Sequence, residues 1–348
     1  MSPNLVLFKI RAEILYHHLP QLEARLQSTL PSTEKEARHL ELLVRFLQTH
    51  FAAAIKTLPK LLEHGEITFD LLWALFRPNS IVYSVDENSE QPECTIVDFG
   101  EDKEGMRGKF FALDVRNINW DGKVFGEVSD IIVIYEFPGA QPITSLDAFP
   151  LKYHQDMSTV KSTLIKRGRH FTALAGVHHC AYSGLAHVKK DPPAKTVKFS
   201  AKGRLMVDSL TFREHNPNYN SPRVIGSVGR AIGGIRARMN DLGGELLDNT
   251  SNPFPAQPRS YIISDPAKMT DNDLLICSPT VLGFSLEKRV WGQFPSISSI
   301  VKLISDERSR VCRFGHKGDH LGHPAVRLPR HSREEEEHFA SACARDCR

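Results

Sequence analysis

The first 66 residues carry apolar side chains at helical spacing. Leucine and phenylalanine recur every three or four positions, which places them on one face of an α-helix. The strongest run comprises Leu40, Leu43, Phe46, Leu47 and Phe51. Ser32 or Thr33 can cap this helix, and a shorter helix follows over residues 58–64. We therefore predict a helical lead-in over residues 1–66, whose apolar face packs into the core rather than forming a peptide-binding groove.

Short apolar and β-branched runs replace the helical spacing beyond a short helix near Trp73. Such runs, bounded by Gly, Pro, Asp and Asn, are typical of strands. They are Ile81–Tyr83, Thr95–Phe99, Lys109–Val115, Val124–Val128 and Ile131–Tyr135. Asp121-Gly122 predicts a tight hairpin turn, because Gly accepts a positive φ. The run Ile131–Tyr135 is predicted to be a buried strand that stops before Pro138.

A helix is predicted to begin near Asp156 or Ser158, since short polar side chains cap the first free N–H groups. Its apolar positions are Val160, Leu164 and Phe171, and its basic positions, largely on the other faces, are Lys161, Lys166, Arg167 and Arg169. A loop is predicted near residues 191–193. Two strands are predicted beyond it, joined by a turn at Lys202-Gly203; they are Val197–Ser200 and Arg204–Asp208.

The order of these elements predicts an α+β fold, not the β-α-β alternation of a doubly wound sheet. A helical N-terminal segment precedes a mostly antiparallel β domain with a few helices. Composition adds a flexible insertion rich in Asn, Pro, Gly and Arg, and a disordered C-terminal tail without periodicity. The predicted boundaries are residues 1–66 for the lead-in, 67–214 for the α+β core domain, 215–260 for the insertion, 261–300 for the final core segment and 301–348 for the tail.

Length and composition allow a folded core but exclude few functions. The chain has 348 residues, 41% of them hydrophobic, with a formal net charge of +3. A balance this mild does not by itself indicate nucleic acid. The six cysteines are widely spread and are expected to be reduced thiols. No apolar run reaches membrane length, so we expect a soluble intracellular protein with no membrane contact.

The sequence predicts neither catalysis nor a cofactor. The Gly-rich stretch from Gly226 to Gly234 lacks the Lys and Ser/Thr of a phosphate-binding loop and the spacing of a dinucleotide site. No Ser-His-Asp or Cys-His arrangement can be assigned. Five carboxylates are available, although turn and edge-strand roles explain them equally well; they are Asp98, Asp114, Asp121, Asp130 and Asp208.

Two groups of Cys and His residues have side chains that could ligate a metal. Nitrogen and sulfur ligands can hold zinc, but the spacing in the tail fits no standard finger. The tail residues are Cys312, His316, His320, His323, Cys343 and Cys347. Adjacent residues of an extended segment point in opposite directions, so His178-His179-Cys180 is interpreted as part of a partly buried loop. We predict no metal site.

Lys166, Arg167 and Arg169 form the most concentrated basic patch in the structured part of the sequence. The patch could meet phosphate or an acidic protein surface. A solvated helix end is the interpretation we favour, because cations suit the negative end of the helix dipole. These three residues are nevertheless the candidate interaction patch.

Several blocks of the sequence resemble, in the same order, blocks of a known family. The blocks are Glu66–Pro78, Trp120–Gly126, Pro142–Leu146, Pro150–His154, Arg167–Phe171 and Leu274–Leu286, followed by Trp291. Together they resemble the N-terminal region of a group of fungal AAA-type ATPases, over about residues 5–300. The resemblance implies a domain of no established function that precedes an ATPase core with a P-loop, a Mg²⁺-binding acid and an arginine finger.

This chain departs from the family pattern after Ile300, where the motor would begin. No motor residue can be carried over, so the resemblance implies ancestry and partners rather than activity. The abrupt change of composition is typical of a retained intron or a shifted frame. We expect the genomic DNA downstream to encode an apolar helix followed by G-x-x-x-x-G-K-[ST].

The sequence therefore favours a non-catalytic recognition or interaction domain of an AAA-type-ATPase-related protein, truncated before the P-loop. Its expected partner is a protein, or a substrate of that ATPase. The alternative is a stand-alone basic module that binds nucleic acid through the candidate patch, which salt-dependent binding to DNA or RNA would favour. We expect that the chain neither binds nor hydrolyses ATP.

Overall fold

The structure is a computed structural model, and it describes residues 13–27, 34–190, 195–217, 219, 224, 262–296 and 300–302. These residues belong to one compact unit, Met1–Ile304. The predicted insertion at 215–260 lies almost wholly outside the described residues. The predicted tail, with all of its candidate zinc ligands, lies outside them beyond residue 302.

The described residues form seven α-helices and thirteen strands, together with short 3-10 turns. The helices are α1 (Leu19–Gln27), α2 (Glu34–His50), α3 (Ala52–Glu63), α4 (Leu72–Leu75), α5 (Met157–Ala173), α6 (Ser209–His215) and α7 (Asp271–Leu275). The strands are β1 (Glu66–Thr68), β2 (Ile81–Val85), β3 (Pro92–Gly105), β4 (Gly108–Trp120), β5 (Phe125–Tyr135), β6 (Ala140–Pro142), β7 (Ala148–Pro150), β8 (His178–Lys190), β9 (Lys195–Val207), β10 (Ile262–Ile263), β11 (Thr280–Ser285), β12 (Val290–Pro295) and β13 (Ile300–Lys302).

Two antiparallel sheets dominate the fold. The first has six strands in the order β10-β5-β4-β3-β2-β7. The second has five in the order β12-β11-β9-β8-β13, and it curls so that β12 also pairs with β8 at Gln293 and His187. β1 and β6 form a separate two-stranded ribbon. Helices at the N-terminus followed by mostly antiparallel sheets confirm the predicted α+β class.

Three apolar clusters hold these layers together. One lies between the first sheet and the segments α3, β1 and α4, around the fully buried Phe111 and Leu113. A second joins the opposite face of the same sheet to α5 and the second sheet, around Phe125 and Phe294. The third joins the N-terminal helices through edge-to-face and tilted contacts among Tyr16, Phe51 and Trp73, with ring centroids 5.0–5.1 Å apart.

The predicted hairpin turn at Asp121-Gly122 is confirmed. The Asp121 carboxylate accepts hydrogen bonds from the backbone N–H groups of Lys123 and Val124, each at 2.8 Å. Gly122 adopts φ +99°, a conformation that side chains with a Cβ strongly disfavour. The turn therefore joins β4 directly to β5 and fixes the register of the longest pair in the first sheet.

The second hairpin differs from the sequence prediction. Lys202-Gly203 is not a turn, because β9 runs unbroken through it and Gly203 pairs with Tyr182. Gly203 has a positive φ of +121° inside the strand, so this position uses the conformational freedom of Gly within the ladder and not in a turn. The residues His178-His179-Cys180 begin β8 and do not form a loop.

Candidate functional site

The predicted basic patch is not a continuous surface, because Arg167 is buried. Its side chain is 6% exposed and lies between α5, the start of β3 and the segment after α7. The guanidinium donates through Nη1 to the carbonyl of Pro92 and through Nη2 to the carbonyl of Cys277, the latter at 3.4 Å. Burial lowers the pKa of Arg167, which the nearby Glu93 carboxylate partly offsets. Arg167 is thus a structural cross-link.

The other two residues of the patch remain at the surface. Lys166 is exposed. Arg169 forms an ion pair with Asp271 at the start of α7, with 3.5 Å between Nη2 and Oδ1, and both side chains are about 70% exposed (69% and 73%). An exposed pair of this kind contributes little stability. The candidate interaction patch therefore reduces to Lys166 and Arg169.

The five carboxylates weighed in the sequence occupy different local settings. Asp121 stabilises the hairpin turn, and Asp208 caps α6 by accepting from the Thr211 backbone N–H at 2.9 Å. Asp98 lies at a bulge in β3 and pairs with Arg116. The remaining two, Asp114 and Asp130, lie on β4 and β5. They lie at the candidate site, which is formed by the outer side of β5 and the neighbouring part of β4.

That region begins with the outer side of β5. Only β10 pairs with this side among the described residues, and it does so at two positions, opposite Phe125 and Gly126. From Glu127 to Tyr135 no described strand lies beside it. We call residues 127–135 the β5 edge. The predicted strand Ile131–Tyr135 is confirmed as a strand, but it borders the sheet instead of lying in its interior.

The register of β5 identifies the backbone groups that face outward. At one end of the ladder Asp121 N donates to Val124 O at 3.2 Å, and at the other Glu136 N donates to Lys109 O at 3.0 Å. Hydrogen-bonded pairs alternate along an antiparallel ladder. The even-numbered residues of β5 therefore bond to β4, and the odd-numbered residues direct their N–H and C=O groups away from the sheet.

One of these outward donors is already occupied. The N–H of Ile131 donates to the Asp130 carboxylate of the preceding residue, with 2.7 Å between N and Oδ1. This bond agrees with the register, because only an outward N–H can meet an edge side chain. A charged residue on an edge strand is a feature by which natural sheets limit unwanted pairing. The donors of Ser129, Val133 and Tyr135 lie along the same edge.

The odd-numbered side chains of β5 share one face of the sheet with Asp114. Asp114 lies directly opposite Ile131 on β5 and Phe99 on β3. A bulge between Val97 and Phe99 turns the odd-numbered residues beyond it towards this face. We call this side of the sheet the open face, although Phe110 and Ala112 within it are buried. It comprises Phe99, Glu101, Lys103, Phe110, Ala112, Asp114, Arg116, Glu127, Ser129, Ile131, Val133 and Tyr135.

The open face combines apolar side chains with an excess of carboxylates. Arg116 bridges two acids, Asp98 and Glu127, with 3.1 Å between its Nε and Glu127 Oε1. Lys103 pairs with Glu101. No ion pair or hydrogen-bond donor from the described residues reaches the carboxylate of Asp114. Beyond Arg116 the face passes into the core beneath α5, where Ile118 is fully buried.

Asp114 is the most perturbed carboxyl group in the described part of the chain. Burial raises the pKa of Asp114 to about 7, and the positive charge of Lys103 only partly offsets this effect. Glu101 and Asp98 raise it further. Its charge therefore changes near neutral pH, and a cation brought to the open face would stabilise the ionised form.

The described residues contain no group of three or more His, Cys, Asp or Glu side chains that could hold a metal. A small cleft lies where β4, α5, β9 and β11 meet, with Trp120 and Phe171 in its wall, and its volume of about 10 Å³ has room for about one water molecule. It is far smaller than a typical small-molecule site. No helix of the described chain is long and apolar enough to span a membrane.

The sequence contains a weak signal for the open face. In the run Phe110–Val115 an acid stands at an alternating position among apolar residues, which is unusual for a strand in the middle of a sheet. Nothing in the sequence shows that, among the described strands, β5 has only the two-residue β10 on its outer side. Strand order decides that, and it depends on contacts distant along the chain.

The fold is α+β, with an antiparallel sheet in which two of the described residues pair with the outer side of β5. Residues 57–155 match the model of a family described as a domain of unknown function, DUF7025. The expectation of a domain without established function is confirmed for this stretch. It includes the β5 edge and Asp114, whereas Lys166, Arg167 and Arg169 lie beyond it. No curated protein and no solved structure matches the chain.

Proposed function

We propose that this chain is a non-catalytic recognition domain that binds a protein partner by adding a strand to the β5 edge. In this mode an extended segment forms main-chain hydrogen bonds with an exposed strand, and pockets for alternate side chains give specificity. The observation that carries the proposal is the outer side of β5, beside which no described strand lies after Gly126.

Side-chain composition supports docking at this edge. Ile131 and Val133 are only partly buried, and Tyr135 is 36% exposed. Tyr135 lies 6.3 Å from the ring of Phe110. An added strand would cover these side chains as well as satisfy the backbone, and burial of apolar area contributes about 25 cal/mol per Å². The backbone hydrogen bonds favour an extended partner over a helical one, because a helix already uses its N–H and C=O groups internally.

The relation to an ATPase is part of the same proposal. Four of the blocks that resemble the N-terminal region of AAA-type ATPases fall inside residues 57–155, the stretch with the family match. On this reading the β5 edge receives a partner or a substrate of an associated ATPase. The buried Arg167 guanidinium donates to two backbone carbonyls and does not face solvent as a basic patch requires. The proposal is therefore a protein partner and not nucleic acid.

The test is a proline substitution in the outward register. Val133→Pro removes an outward N–H, while the bonds to β4, made by even-numbered residues, remain. Val133→Ala is the matched control, since it shortens the side chain and keeps the N–H. Peptides selected against the full-length chain from a displayed library of random linear sequences serve as the probe, with affinity measured by fluorescence anisotropy.

We expect Val133→Pro to weaken the selected peptides at least about tenfold, equivalent to about 1.4 kcal/mol, and Val133→Ala to weaken them less. Far-ultraviolet circular dichroism and the thermal midpoint check that both variants fold. Equal binding to Val133→Pro and Val133→Ala would contradict the proposal, and so would a library that yields no binder. Slow amide exchange at Ser129, Val133 and Tyr135 in the free protein would show that the chain itself occupies the edge, which would also contradict it.

A further inference from the structure

We infer that the segment received by the β5 edge carries lysine or arginine at alternating positions, one of which reaches Asp114. This inference rests on the proposed function and deepens it, because it specifies the chemistry of the partner. It follows from where an added strand would place its side chains and from the charges already present on the open face.

The first step is geometric. Neighbouring strands lie about 4.8 Å apart, so a strand added to β5 lies roughly two spacings from β4. Its side chains alternate between the two faces, and every second one lies over Ile131 or Val133 on the open face. Ile131 stands directly between the edge and Asp114. Only a long side chain can cross it, and lysine and arginine carry their charge on a flexible aliphatic stem.

The second step is electrostatic. Arg116 is shared by Asp98 and Glu127, and Lys103 is paired with Glu101. The Asp114 carboxylate has no ion-pair partner among the described residues, although it is withdrawn from solvent. A cation from the partner would supply the missing counter-charge while its stem packs on Ile131. A glutamate or aspartate at the same position would be repelled.

A second copy of this chain fits less well. The side chains that a partner's own β5 would bring to this face are those of Glu127, Ser129, Ile131, Val133 and Tyr135. None of them carries a positive charge, and Glu127 would add another negative one. Self-association through two β5 edges would therefore increase the acidic excess instead of neutralising it, so we assign the edge to a basic segment of another protein.

The inference has a pH signature. The pKa of Asp114 is raised to about 7 in the free chain, so its protonation competes with a bound cation below that pH. Lys103, Glu101 and Asp98 also act on this group. Binding of a basic peptide should strengthen as the pH rises from 6 to 8, by at most about tenfold per pH unit below the pKa. Lysine and arginine do not titrate in this range.

The experiment compares Asp114→Asn with the unsubstituted full-length chain, using peptides selected at pH 8 from the random library. Asparagine has nearly the same shape and remains neutral, so it imitates the protonated carboxyl group. We expect selected sequences to be enriched in Lys or Arg at every second position and to bind Asp114→Asn about tenfold more weakly. Replacing their Lys or Arg by Gln should weaken them similarly on the unsubstituted chain and leave their binding to Asp114→Asn nearly unchanged.

The outcomes separate this inference from the proposed function. Peptides that need the Val133 N–H but show no basic alternation, or bind Asp114→Asn equally well, would overturn the inference and leave strand addition intact. Binding that ignores Val133→Pro would overturn both. A chain that dimerises through this edge, detected by light scattering and abolished by Val133→Pro, would make a second copy the occupant and overturn the basic partner.

Discussion

Gly168 offers a test in which two effects of opposite sign can be compared. The residue lies within α5, and replacing a helical Gly by Ala normally stabilises a protein by about 1 kcal/mol, because Ala has the higher helix propensity. In this structure, however, a Cβ on Gly168 would lie 2.8 Å from the carbonyl carbon of Leu274 and 2.9 Å from its Cα, and closer still to its oxygen. These are backbone atoms of α7, so no side-chain rotation can relieve the contact.

The magnitude of the second effect follows from how firmly α7 is held. Thr270 and Asp273 form a capping box at its start, with the Thr270 N–H donating to Asp273 Oδ2 at 2.8 Å. Separating α5 from α7 would also lengthen the bond from Arg167 to the Cys277 carbonyl. Overpacking a well-filled interior costs about 1–3 kcal/mol. We expect the clash to outweigh the propensity gain and Gly168→Ala to be destabilising by about 1–2 kcal/mol.

Urea unfolding of the full-length chain, followed by tryptophan fluorescence, measures the difference. Thr163→Ala is the matched control, since Thr163 is exposed on the same helix and the change should stabilise by a few tenths of a kcal/mol. If Gly168→Ala were as stable as the unsubstituted chain, or more stable, the close approach of α5 and α7 would be wrong.

Three further substitutions test other parts of the structure. Asp114→Asn should stabilise the chain by about 1–3 kcal/mol at pH 8 and by almost nothing at pH 4. The raised pKa of Asp114 means that its ionisation costs stability as the pH rises from the pKa of the unfolded chain towards 7. Urea midpoints measured over this pH range test the prediction, and a stability difference that does not grow with pH would refute it. Arg167→Met should lower the free energy of unfolding by about 2–4 kcal/mol, because it leaves two buried carbonyls without donors, whereas Lys166→Met should change it by less than about 0.5 kcal/mol. Equal losses of stability in the two variants would contradict the burial of Arg167. Phe125→Ala should cost about 3–5 kcal/mol, against less than about 1 kcal/mol for Val85→Ala, whose side chain is 50% exposed; calorimetric midpoints that fall alike would contradict the assigned core.

Local features of the structure were predictable from the sequence because they depend on neighbouring residues. Helical spacing of leucines identified the N-terminal helices, and Asp121-Gly122 identified the hairpin between β4 and β5. The β-branched run Ile131–Tyr135 identified a strand. These patterns also predicted the α+β class, since strands joined by tight turns are antiparallel. Each of these features is determined within a few residues along the chain.

The position of Arg167 shows where this reasoning fails. The expectation that Arg167 lies largely on other faces than Leu164 and Phe171 was wrong, because residues three and four positions apart share one face of a helix and Arg167 is buried with both. The segment around α7, more than a hundred residues later in the chain, supplies the Cys277 carbonyl to which the buried guanidinium donates. Gly168 was a local sign of that contact, because its missing side chain permits the close approach.

The candidate site was likewise decided by tertiary structure. The sequence by itself determined that Asp114 and Ile131 lie on strands joined by a hairpin. It did not determine what lies on either side of this pair. The bulge after Val97 places Phe99 opposite Asp114, and Ile262 and Ile263 are the only described residues that pair with the outer side of β5. Both depend on strand order and register, which are fixed by packing between residues distant in sequence and not by the preference of any one segment.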